Sequence, residues 1–182
     1  CADAASRREQ DAVATNDDAH ANDERQTNHH YLNNEGNLTN SGDQNNDGSL
    51  TNNCRLTNVD TLTNDGTLTN NNVLSNNGTL TNNGTLYNDG ALTNLRTLTN
   101  VGTLTNRDNL TNNGSLTNHG TLTNKDTLTN HDSLTNNGTL TNNSTLNNTS
   151  TLTNVSSLSN QCTHPIDTPP THTPSLPHNT TQ

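Results

Sequence analysis

The stretch Asn76–Asn94, NNGTLTNNGTLYNDGALTN, decides how this chain folds. Leu stands at 80, 86 and 92, and an Asn follows two places after each, at 82, 88 and 94. A six-residue period drifts around an α-helix of 3.6 residues per turn and leaves no apolar stripe. It suits short strands, in which Thr and Leu alternate outward and inward over three or four residues. Asn, a variable residue and Gly then turn a corner, which Asn and Gly do readily because they tolerate positive φ.

The beat extends well beyond this stretch. Counting in sixes from Leu32 to Leu158 gives 22 positions; Leu fills 21 of them, Gln44 is the exception, and Asn stands two places later at all 22. The small variations set the number of sides. Gly recurs every 18 residues at 48, 66, 84, 102, 120 and 138, while the other two corners are mixed. The residues flanking Leu that are neither Thr nor Ser, from Leu50 onward, are Arg55, Val73, Tyr87, Ala91, Asn109 and Asn147, and all but Tyr87 fall on one face. The expected fold is therefore all-β: a triangular parallel β-solenoid of about seven coils, each of three hexads, roughly 35 Å long at the ~4.8 Å strand spacing. Leu80, Leu98 and Leu116 stack inside one wall, and Asn82, Asn100 and Asn118 stack as an interior amide ladder.

Two flanking segments lack the leucine beat. Residues 1–30 read as a polar, charged arm, in which Ser6-Arg7-Arg8-Glu9 fits a capping box for a short helix through about Ala14. The solenoid proper is expected over 31–163. Residues 164–182, HPIDTPPTHTPSLPHNTTQ, hold all five Pro and read as an extended tail suited to O-glycosylation on Thr.

Composition narrows the function classes. The net charge is −10, with 17 acidic residues against seven basic, so no basic stripe exists to neutralise phosphates and nucleic acid is not an expected partner. No apolar run approaches the ~20 residues of a membrane span. No leader pattern is visible, and a start at Cys1 fits a trimmed product. Cys1, Cys54 and Cys162 are an odd number: a disulfide pair plus one free or intermolecular thiol, or three unpaired small residues. His119 and His131 fall at solvent-facing corners and His164, His172 and His178 in the tail, where weak metal binding competes with simple solvation; no metal or cofactor is expected. Sequons at Asn77, Asn83, Asn113 and Asn137 fall on outward corners that can carry glycans, whereas those at Asn142 and Asn154 fall on the interior ladder. A continuous prism offers no cleft for a nucleophile and base, so no enzyme is expected.

The hexad resembles that of hexapeptide-repeat proteins, which form left-handed β-helices of 18-residue triangular coils. The resemblance covers about 130 residues, in period and inward aliphatic. It implies the architecture and a left-handed coil. Many members of that family are acyltransferases with a His in the site and loops that break the coil; no inserted loop lies between Leu50 and Leu158, so activity is not carried over. The T-L-T-N-x-G wording also looks like repeats of secreted bacterial adhesins and other surface proteins.

Two functions are expected from different classes. One is a structural, self-associating module of an extracellular or cell-surface fibre, filament or adhesin stalk. The alternative is ice binding. One wall presents Thr61/Thr63, Thr79/Thr81, Thr97/Thr99, Ser115/Thr117, Ser133/Thr135 and Thr151/Thr153, and such T-x-T ladders resemble those of insect antifreeze solenoids.

Overall fold

The structure, a computed structural model, describes residues 7–10, 14–16, 20–23, 25–161 and 171–172. Every strand is three or four residues of the hexad, apart from Thr171–His172, and every pairing is parallel with a register of 18, from Arg7↔Arg25 to Thr153↔Thr171. The strands form three sheets. The first wall runs from Arg7–Gln10 to Thr171–His172 in ten strands, the second from Ala14–Asn16 to Ser157–Asn160 in nine, and the third from His20–Asn22 to Leu146–Asn148 in eight. The result is a three-sided parallel β-solenoid of about eight turns with 18 residues per turn and no helix among the described residues.

The helix expected through Ala14 is not formed: Arg7–Gln10 and Ala14–Asn16 are strands that open the first and second walls. This segment adds the coil that the leucine count misses. Register places Arg8, Ala14, His20 and Gln26 at leucine positions, so the leucine beat is absent there, yet Asn16, Asn22 and Asn28 keep the asparagine beat. Parallel pairing to the next coil then overrides a local capping signal. At the other end, Thr171–His172 pairs with the strand Leu152–Asn154, one full coil on; the rest of the expected tail lies outside the described residues.

The interior is a column of leucines from Leu32 to Leu152, buried together as one core. Next to it run three asparagine ladders, one under each corner. Asn82 shows the rung: its Nδ2 donates to Asn100 Oδ1 at 2.8 Å, to Gly84 O at 3.2 Å and to Thr103 O at 2.9 Å. Each rung donates to the next coil, so all three ladders point the same way along the axis. The ladder thereby satisfies corner carbonyls that an apolar side chain would leave unpaired.

The corners do not work as the glycine content suggests. No described residue has a positive φ. Glycine is needed because stacked corners approach closely: a Cβ on Gly102 would run into the carbonyl oxygen of Gly84 one coil below. The amide after that glycine, Thr103 N, donates to Gly84 O at 2.9 Å. At the second-to-third corner, which is mostly not glycine, the polarity reverses: Leu92 N donates to Asn109 O of the coil above at 2.9 Å.

Candidate functional surface

The three walls share one backbone but present different surfaces. On the first wall, register aligns Thr61, Thr79, Thr97 and Ser115 in one column and Thr63, Thr81, Thr99, Thr117, Thr135 and Thr153 in the other. Ser133 and Thr151 continue the first column just before their strands begin. Strand geometry spaces these hydroxyls and methyls at about 4.8 Å along the axis and about 6.6 Å across it. No charged residue interrupts the array from Thr61 to Thr153. Towards the N-terminal end it gives way to Arg25 and Asp43, an exposed pair at 3.3 Å, with Thr27 and Asn45 in the neighbouring column.

The rims of this wall are also distinct. Among the described residues, the exposed large aliphatics are Val59, Leu95, Val101 and Val155. All four stand on corners that lead into or out of the first wall. The opposite corner, between the second and third walls, carries Glu35, Asn53, Asn71, Asp89, Arg107, Lys125 and Asn143. There Arg107 bonds Asp89 at 3.1 Å and lies 5.0 Å from the centre of the Tyr87 ring, while the Tyr87 hydroxyl donates to Asp89 at 3.1 Å. Desolvation, followed by that bond to Asp89, raises the Tyr87 pKa above its usual 10.0. Tyr87 thus breaks the T-x-T pattern of the second wall with a polar cluster, and the third wall carries Arg55, Val73, Ala91 and Asn109 beside its leucines.

Comparison with known protein families, curated proteins and solved structures finds no match for this chain. What it presents chemically must be read from its own side chains. Leu80, Leu98, Leu116, Asn82, Asn100 and Asn118 are buried as ladder and core residues. The twelve Thr and Ser of the first wall come together on one face. Cys54 sits at a second-to-third corner, half-buried and unpaired among the described residues; Cys1 and Cys162 lie outside them. His119 and His131 lie on different corners, and no group of three or more His, Cys, Asp or Glu forms a metal-binding cluster among the described residues. Sequence reasoning did not single out the aliphatic rims. Their signal was present: the variable corner residue is aliphatic only at 59, 95, 101 and 155, and the 18-residue register puts all four beside one wall.

Proposed function

We propose that the chain is a structural rod, a self-associating module of an extracellular fibre, filament or adhesin stalk. The observation that carries this reading is the constant 18-residue register of the first wall from Arg7 to Thr171, which makes a prism about 40 Å long. The polarity of the ladders supports end-to-end growth. A second copy continues the donor-to-acceptor direction only when its N-terminal end meets the first copy's C-terminal end. Strand edges at either end are the ordinary template for such addition. The acidic composition and the Thr/Pro tail fit an extracellular or cell-surface setting. Negative-stain microscopy tests the reading: fibres one prism wide support it, and a monodisperse monomer at every concentration overturns it.

A second reading, ice binding, is favoured by the T-x-T array, whose two columns carry no charged residue from Thr61 to Thr153, although its rims mix Val59, Leu95, Val101 and Val155 with Asp60, Asp65, Arg96 and Asp132. Ordered methyls and hydroxyls at strand spacing can hold water in a regular lattice. Thermal hysteresis that Thr97→Tyr abolishes would establish it over the structural reading.

A further inference from the structure

Four Asn-Gly pairs occur in nearly one local sequence: SNNGT at 75–79, TNNGT at 81–85, TNNGS at 111–115 and TNNGT at 135–139. The fold holds them in two ways. Asn83 and Asn137 lie at the first-to-second corner. There the following glycine amides are engaged, Gly84 N donating to Asn64 O at 3.0 Å and Gly138 N to Asn118 O at 3.1 Å. Their side chains are held too: Asn83 Nδ2 donates to Asp65 Oδ1 at 2.7 Å, and Asn137 Nδ2 lies 3.3 Å from His119 Nδ1. Asn77 and Asn113 lie at the third-to-first corner. Among the described residues, neither Gly78 N nor Gly114 N donates to a backbone carbonyl. The Asn77 Oδ1 is buried without a partner, and no bond restrains the Asn113 side chain, which is exposed.

This difference bears on one reaction. In spontaneous deamidation the backbone nitrogen after Asn gives its proton to solvent base and bonds to the Asn Cγ. The Cγ–Nδ2 bond breaks and the side-chain nitrogen leaves as ammonia. Water then opens the cyclic imide at one carbonyl or the other, leaving Asp or isoaspartate. Glycine favours closure because no Cβ crowds the ring. A glycine N–H already donated to a carbonyl is harder to deprotonate and turn, and an Asn side chain tied to a neighbour cannot swing its Cγ over that nitrogen.

We infer that Asn77 and Asn113 are deamidation sites and that Asn83 and Asn137 are protected by the fold. The consequence is local to the proposed surface. Isoaspartate at 77 or 113 adds one backbone carbon where the chain enters the first wall at Thr79 or Ser115, and a new carboxylate appears on the rim. The inference holds whichever function the wall serves.

The full chain is incubated at mildly alkaline pH and digested, and mass spectrometry follows the one-dalton gain at each of the four Asn. With two hydrogen bonds to break first at each protected site, Asn77 and Asn113 should convert roughly tenfold faster or more. The same incubation in denaturant should bring the four rates together, since their neighbours are nearly identical. Equal rates in the folded protein, or a difference that persists in denaturant, would overturn the inference.

Discussion

The first coils and the middle coils follow one backbone plan with different interiors. From Leu56 to Leu146 every inward position is a buried leucine over an asparagine rung. Below that, the first wall carries Gln44 and Gln26 at leucine positions, and His20 Nε2 meets Gln26 Oε1 at 2.9 Å in the space where aliphatic side chains would interlock. Gln44 is 2% exposed, yet neither its Nε2 nor its Oε1 finds a partner. Register sets Gln10 beneath Asn28, so the first-wall asparagine ladder stops there and the Asn28 Oδ1 is left buried and unpaired. The coil nevertheless persists through this region in the same register. The parallel pairing of coil on coil carries the path even where a leucine or, at Gln10, an asparagine rung is missing; both add stability to it.

That contrast can be broken most sharply at the rungs. Asn100→Ala removes the acceptor of Asn82 and the donor to Asn118, Gly102 O and Thr121 O. Leaving several buried groups unpaired should cost about 3 kcal/mol or more in urea melts. Thr99→Ala on the outer face should cost about 0.5 kcal/mol. Asn28→Ala should cost less than Asn100→Ala, because its Oδ1 already lacks a partner; equal losses would show that the two regions are held alike.

A smaller effect is expected at the corners. Gly102→Ala drives a Cβ into the Gly84 carbonyl and should cost about 1–3 kcal/mol. In the first coils the same corner position is His30, so His30→Ala should be near neutral by the same melts. Gln44→Leu should reverse the contrast by replacing an unpaired buried amide with a leucine in line with Leu62. A gain of about 1–2 kcal/mol is expected, with slower hydrogen exchange over residues 25–46. The smallest effect is at Glu35, whose carboxyl is held below the usual 4.5 by bonds from Asn53 first and then Asn33. A lowered folded pKa stabilises above 4.5 and loses that contribution as pH falls through the folded value. Because the group is fully exposed, the change should show in an NMR titration of the carboxyl and leave the melt unmoved.

Much of this molecule was readable from Leu and Asn alone, because both must repeat at the coil length. The three walls, their order and the identity of the T-x-T face followed from the 18-residue spacing of Gly48 to Gly138 and from the scatter at Arg55, Val73 and Ala91. The coil from Arg7 to Asn28 was hidden because none of its leucine positions holds a leucine, although Asn16, Asn22 and Asn28 kept time. The role of glycine was misread for a different reason. Positive φ is a property of one residue and its neighbours, whereas the close approach of Gly102 to Gly84 exists only once two coils are stacked. The same holds for the four Asn-Gly pairs, whose sequences match and whose hydrogen bonds differ.

The constant register has a consequence for how such a chain can change. Removing 18 residues anywhere between Leu50 and Leu146 returns every leucine, rung and corner to an equivalent place and shortens the prism by about 4.8 Å. Removing six rotates everything beyond the cut by one side, so threonine columns continue into the face of Arg55 and Val73. Length in this molecule is therefore countable in whole coils, and a gene that gains or loses them by slippage changes the reach of the protein without changing its faces.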